Sequence, residues 1–132
     1  MAYTILAIDD TKRILDIVRY FLEREGYVVQ TSTDPKEGLA IALAGGIDLV
    51  LLDIMMPGMD GYTLCDTLKK DPKTADLPVI MLTAEAIVHH TPKDFFYGLY
   101  GVLAKPFSRD QLLKVVGDTL KMTKEKPGGG SG

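Results

Sequence analysis

Asp48-Leu49-Val50-Leu51-Leu52-Asp53-Ile54-Met55-Met56-Pro57-Gly58-Met59-Asp60-Gly61 holds a short unbroken apolar run that ends on a carboxylate and passes straight into a loop rich in turn residues. An apolar run too short for a helix and bounded by turn signals reads as a strand covered on both faces, here Leu49 to Leu52. Asp53 therefore sits at the mouth of a buried strand. A carboxylate there loses hydration, so it needs a cation, a hydrogen-bond partner or a chemical role.

The same pattern recurs on either side. Thr4 to Ile8 reads as a first strand, followed by a helix with Ile14, Leu15, Val18, Phe21 and Leu22 at three- and four-residue spacings and a stop at Gly26. Tyr27 to Thr31 reads as a second strand. Asp34 and Pro35 then supply a cap and first-turn pair for a helix carrying Leu39, Ala40 and Leu43, ended by Gly45-Gly46. Beyond the central run, Pro57-Gly58 and Asp60-Gly61 mark a tight loop, Tyr62 to Lys70 a third helix, and Asp71-Pro72 its stop. Val79 to Leu82 forms a fourth strand that delivers Thr83. Ala84 to Gly101 is irregular: Pro92 interrupts it, and we expect a long loop with a short fourth helix capped by Thr91. Val102 to Ala104 forms a fifth strand that delivers Lys105, and Gln111 to Met122 a last helix through Leu112, Leu113, Val116 and Leu120. Alternating strands and helices predict an α/β fold with a parallel sheet, whose crossovers are right-handed, so all strands point their C-terminal ends to one edge.

Composition narrows the function. The chain has 132 residues, 46% of them hydrophobic and 25% charged, with a formal net charge of -3. This fits one soluble domain and lacks the basic field that many phosphate contacts need, so we expect no direct nucleic-acid binding and no membrane span. The N-terminus reaches Asp9 and Asp10 without a basic leader or a long apolar segment, from which we expect a cytoplasmic location. Cys65 stands alone in a helical stretch and is expected to pack as a small apolar residue. We expect residues 1–122 to form the domain. Residues 123–132, ending Lys126-Pro-Gly-Gly-Gly-Ser-Gly, are expected to be a flexible Gly-rich tail, a linker stub or an expression scar.

Four strand ends thus converge on one edge, carrying Asp9 and Asp10, Asp53, Thr83 and Lys105. Clustered carboxylates repel unless a cation offsets them, and oxygen ligands without sulfur or paired histidines point to Mg²⁺. Metal, ammonium and hydroxyl together suit a phosphoryl group, and aspartate is a known nucleophile for phosphoryl transfer. Asp53 is the candidate acceptor, with Asp9 and Asp10 toward the metal, and Lys105 and Thr83 toward phosphoryl oxygens. Each residue alone has a plainer reading. Asp9-Asp10 could cap a helix, Asp53 could cap its loop, and Lys105 could be solvated. His89-His90 reads as two solvated loop residues, and Phe95-Phe96-Tyr97 as core more readily than as a binding surface.

Taken together, Asp9-Asp10, Asp53 through Gly61, Leu77-Pro-Val-Ile-Met-Leu-Thr83-Ala84 and Lys105-Pro106-Phe107 resemble the CheY-like receiver domains of two-component response regulators over about residues 3 to 121. The resemblance implies a doubly wound, flavodoxin-like (βα)5 sheet of order 2-1-3-4-5. It implies Mg²⁺-dependent transfer of a phosphoryl group to Asp53 from a histidine kinase or phosphotransfer protein, in a phospho-acceptor that assists its own phosphorylation and dephosphorylation rather than a conventional enzyme. Asp10, Asp53 and the Met55 carbonyl become direct metal ligands, Lys105-Pro106 a cis peptide, and the surface of the fourth helix, strand five and last helix the face that meets a downstream target or fused effector domain.

The chain departs from the pattern at Val102, where receivers commonly carry an aromatic switch residue, and at Leu99, which follows Gly98 where an alanine is usual. Tyr100 is a substitute for that aromatic if strand five begins early enough. Met55 and Glu85 occupy the positions that in the family modulate water attack on the phosphoryl group. Two other functions compete: a phosphorylation-independent interaction module, suggested by Val102 and Pro92, and a Mg²⁺-dependent phosphohydrolase. The latter usually has a second acid two residues after its nucleophile, and position 55 is Met.

Overall fold

The computed structural model describes residues 2–54, 56, 58, 61–84 and 99–124. Its elements are β1 (Thr4–Ile8), α1 (Lys12–Glu23), β2 (Val28–Ser32), α2 (Pro35–Ala44), β3 (Leu49–Asp53), α3 (Gly61–Lys70), β4 (Val79–Ala84), β5 (Leu99–Lys105) and a last helix, α4 (Arg109–Lys124). The five strands lie parallel in the order β2-β1-β3-β4-β5. The expected fourth helix, His89-His90, Thr91-Pro92, the Phe95-Phe96-Tyr97 cluster, and the tail from residue 125 onward lie outside the described residues, as do Met55 and Glu85.

Side chains alternate across the three middle strands and build two cores. Ile5, Ala7, Leu49, Leu51, Ile80 and Leu82 face α1 and α4, meeting Leu15, Val18 and Leu22 from the first and Leu112, Val116 and Leu120 from the second. Leu6, Ile8, Val50, Leu52 and Val79 face the other way, against Ala42 of α2 and Leu64, Cys65 and Leu68 of α3. The unbroken apolar runs in β1 and β3 follow from this double burial. The order in which strands are added reverses between β1 and β3, so their C-terminal ends open a crevice between neighbouring helices, the place where ligands bind in such sheets.

Several boundaries differ from expectation. β2 is shifted one residue later and ends on Ser32, because its backbone continues the ladder to Ile8. β4 runs two residues further, so Thr83 lies within the strand rather than after it. β5 begins three residues early, at Leu99, and therefore contains Tyr100. The register skips that residue: Val79 pairs with Leu99 and Ile80 with Gly101. A bulge on an edge strand accommodates the extra residue that apolar patterning misses. Gly101 is needed there for packing, since a Cβ would stand 2.9 Å from Val115 Cγ2 of α4. α4 runs from Arg109 to Lys124, two residues past the expected domain boundary.

In α2, Asp34 caps the helix by accepting from the Lys36 amide at 3.0 Å, as its position predicts. The buried positions are Pro35, Gly38 and Ala42, whereas Ala40 is exposed and Leu39 and Leu43 are half-buried. Gly38 decides this orientation. Its absent Cβ would stand 2.6 Å from Ile8 Cδ1, so α2 lies close against the end of β1.

Candidate functional site

Asp9 follows the last residue of β1, Asp53 closes β3, Thr83 lies near the end of β4, and Lys105 closes β5. Parallel strands in register bring all four to one edge of the sheet. Asp9, Asp53 and Thr83 are buried, Asp10 is exposed, and the Lys105 side chain is 23% exposed. One carboxylate oxygen each from Asp9, Asp10 and Asp53 lies within 4.8 Å of the others. The strand ends singled out in the sequence therefore form one pocket.

Three local devices hold the pocket's first acid. The Asp9 amide donates to the Ser32 carbonyl at 3.1 Å, one rung beyond the β1–β2 pairing. Asp9 Oδ1 accepts from the Thr11 amide at 2.9 Å, which turns the chain into α1. Asp9 Oδ2 lies 2.7 Å from Lys105 Nζ, and the same ammonium is 3.4 Å from Asp53 Oδ2. Lys105 thus bridges two buried acids from the opposite side of β4. Burial opposes its charge, but the contact and charge of Asp9, followed by those of Asp53, outweigh that opposition and push the Lys105 pKa up. Lys105 and Pro106 are joined by a cis peptide, as the resemblance implies.

One buried oxygen remains unsatisfied. Among the described residues, Thr83 Oγ1 has no hydrogen-bond partner, whereas Asp9 Oδ2 has the Lys105 ammonium at 2.7 Å. A buried polar atom without a partner costs about 1–3 kcal/mol, so Thr83 favours an incoming partner. The donor set fits a hard divalent cation: carboxylate oxygens only, from one exposed and two buried residues. Among the described residues, one ammonium contacts this three-carboxylate cluster, which favours added positive charge.

On the exit side, Ile54 and Gly61 close the loop after Asp53. The Gly61 amide donates to the Ile54 carbonyl at 3.2 Å, and a Cβ on Gly61 would stand 2.5 Å from Ile54 Cα. The start of α3 is therefore pressed against the backbone next to Asp53. The contributions of Ser32 and Thr11 to holding Asp9 were not read from the sequence, because both act through backbone groups that carry no residue-type signal.

The fold and this edge place the chain in a known class. It matches the response regulator receiver domain over residues 5–117, and it belongs to that family. Among curated proteins it is 41% identical over 123 residues to the DNA-binding dual master transcriptional regulator RpaA of Synechocystis, covering 93% of this chain and 51% of that protein. It is 38% identical over 112 residues to the transcriptional regulatory protein ResD of Bacillus subtilis, covering 84% of this chain and 45% of the other. The chain spans about half the length of these relatives. Among solved structures, the chemotaxis response regulator CheY4 of Vibrio cholerae superposes with a TM-score of 0.83 at 31% identity, over 91% of this chain and all of that one. NtrX from Brucella abortus superposes with a TM-score of 0.86 at 34% identity, over 96% of this chain and 29% of NtrX. No helix among the described residues is long and apolar enough to cross a membrane.

Proposed function

We propose that this receiver domain accepts a phosphoryl group on Asp53 from the phosphohistidine of a histidine kinase or phosphotransfer protein. The observation that carries the reading is the meeting, at one edge, of three clustered carboxylates, a bridging ammonium and a buried hydroxyl with no partner. An Asp53 carboxylate oxygen attacks phosphorus, the bond from phosphorus to the imidazole nitrogen breaks, and the nitrogen keeps the electron pair. Asp9, Asp10, Asp53 and the Met55 carbonyl would hold Mg²⁺, which supplies positive charge to the phosphoryl oxygens when bound. Lys105 moves part of its pairing from Asp9 and Asp53 to a phosphoryl oxygen. Thr83 donates its idle hydroxyl to another, and this donation couples the acceptor to β4.

The downstream face in this reading is formed by the expected fourth helix, β5 and α4, of which β5 and α4 lie among the described residues. A groove of about 570 Å³ runs there, lined among the described residues by Val102, Ala104, Lys114, Val115 and Met122. Tyr100 belongs to the same strand, but the bulge at that residue interrupts the alternation by which it would share a face with Val102. The tail after α4 is read as a linker, so that in a longer chain the phosphorylated domain controls a fused effector. RpaA is described as DNA-binding, and by analogy that effector is a DNA-binding domain rather than this chain itself. The domain acts in the cytoplasm as a phospho-acceptor that assists its own turnover.

The test is to add beryllofluoride with Mg²⁺, a mimic of aspartyl phosphate, and follow amide NMR shifts in the wild type and in Asp53→Asn. We expect shifts at Asp53, Thr83 and β5 in the wild type and none in the variant. A wild type without response at these residues overturns the reading.

A further inference from the structure

Ser32 is a buried hydroxyl residue with a contact pattern that helix capping alone does not require. Asp34 already caps α2 through the Lys36 amide, and Pro35 fills the first turn. Glu37 stands three residues after that cap, where a capping-box glutamate would reach back to the Asp34 amide. Here the Asp34 amide donates to Ser32 Oγ at 3.1 Å, and Ser32 Oγ in turn lies 2.8 Å from Glu37 Oε1. The Asp34 carbonyl is also 2.8 Å from Ser32 Oγ, so the single hydroxyl hydrogen is shared between two acceptors. The hydroxyl has been inserted into the box as a relay, which ties the end of β2 to the first turn of α2.

The same residue's carbonyl accepts the Asp9 amide at 3.1 Å. That hydrogen bond sets where the backbone leaves β1, immediately before the exposed acid Asp10. Ser32 is 3% exposed, so loss of its hydroxyl contacts is not made good by bulk water. From this geometry we infer that Ser32 and Glu37 are positioning residues for the acid pair: their relay fixes the Ser32 carbonyl, and through it the placement of Asp9 and Asp10 toward a divalent cation. The inference rests on the metal-binding part of the proposed function. Groups outside the ligand shell that orient ligands commonly change metal affinity tenfold or more.

The test titrates the full chain with Mg²⁺ alone, reading the amide shifts of Asp9, Asp10 and Asp53 at a temperature where every variant is folded. Ser32→Ala and Glu37→Ala are each expected to weaken Mg²⁺ binding about tenfold. They should also speed hydrogen exchange at the Asp9 amide, which a general loss of stability would not do selectively. The double variant should bind no more weakly than either single one, because both remove the same link. Glu37→Gln keeps the acceptor and loses the charge, so recovery of affinity in this variant assigns the effect to the hydrogen bond. Wild-type affinity in both Ser32→Ala and Glu37→Ala overturns the positioning role while leaving the receiver reading intact. An equal loss in Glu37→Gln and Glu37→Ala overturns it in favour of simple charge. If Ser32→Ala does not fold, the two Glu37 variants decide. A wild type that does not bind Mg²⁺ at Asp9, Asp10 and Asp53 overturns the metal reading and this inference with it.

Discussion

The two halves of the sheet edge are built to opposite plans. On the β1 side, Asp9 is held through its amide, through Oδ1 and by the charge of Lys105. On the β4 side, Thr83 is equally buried, and its hydroxyl has no partner among the described residues. Both arrangements cost free energy in a resting domain, one by crowding acids and the other by leaving a hydroxyl idle. The difference separates two tasks. In the proposed function, the β1 side is preorganised for an ion and for attack, where misplacement would lower the rate. In the same proposal, the unsatisfied hydroxyl on the β4 side gives the arrival of a phosphoryl oxygen a consequence.

Lys105→Ala tests the held half most severely. The ammonium balances fully buried Asp9 and lies close to buried Asp53, so its removal takes positive charge away from both carboxylates. Breaking a buried pair on one side costs about 3 kcal/mol, which we expect in urea unfolding without Mg²⁺. Mg²⁺ should recover much of this loss, because it supplies charge to the same oxygens. A variant as stable as the wild type in metal-free buffer would mean that the acids do not depend on Lys105.

Gly61→Ala acts between the halves. The new methyl group would stand 2.5 Å from Ile54 Cα, a backbone atom that cannot swing aside. Overpacking of this kind costs about 2 kcal/mol. The shift also passes to Asp53, one residue away, so the wild-type response to beryllofluoride should weaken along with the urea midpoint. Loss of stability with an unchanged response would show that α3 can move without the acceptor.

Thr83→Val tests the unsatisfied half, with the opposite sign. Replacing an unpartnered buried hydroxyl with a methyl group of similar shape should stabilise the resting domain by about 1 kcal/mol. The same change removes the donor proposed for the phosphoryl oxygen, so the amide response of β4 to beryllofluoride and Mg²⁺ should shrink. A destabilised Thr83→Val would show that the hydroxyl has a resting partner.

How legible this edge was in the sequence depended on the kind of signal. Asp9, Asp53 and Lys105 could be placed because continuous apolar runs fixed the strands that deliver them. Double burial makes such runs unambiguous in β1 and β3. β5 was harder, since Tyr100 sits in a bulge and Gly101 carries no side chain to pattern, so the strand's first three residues read as loop. Ala40, named among the apolar positions of α2, is exposed, because apolar spacing in α2 is nearly uniform around the helix and the close approach of Gly38 to Ile8 sets the buried face. Ser32 and Glu37 were overlooked for another reason. The acid-to-glutamate spacing of a capping box was present, but the hydroxyl two residues before it gave no sign of entering the box.

The smallest expected effect contrasts Lys105 with Lys69 on α3, whose ammonium donates to the carbonyls of Ala75 at 3.2 Å and Leu77 at 2.8 Å. Burial pushes the Lys69 pKa down, whereas Lys105 is pushed up by its acids against the effect of burial. The signs under alkali therefore oppose each other. Stability contributed by charged Lys105 is fully present below the usual lysine value of 10.5 and is lost as pH rises through its higher folded value. The penalty for charging Lys69 is present below its lowered folded value and is relieved as pH rises toward 10.5. Tyr27 and Cys65, both raised by burial, add their own loss above their usual values of 10.0 and 9.0. The contrast must therefore be read as a difference between variants. Urea midpoints followed from neutral pH into this range should show Lys105→Met falling less steeply than the wild type and Lys69→Met falling more steeply. Parallel curves for the two variants would mean that the bridging acids do not hold the Lys105 charge in place.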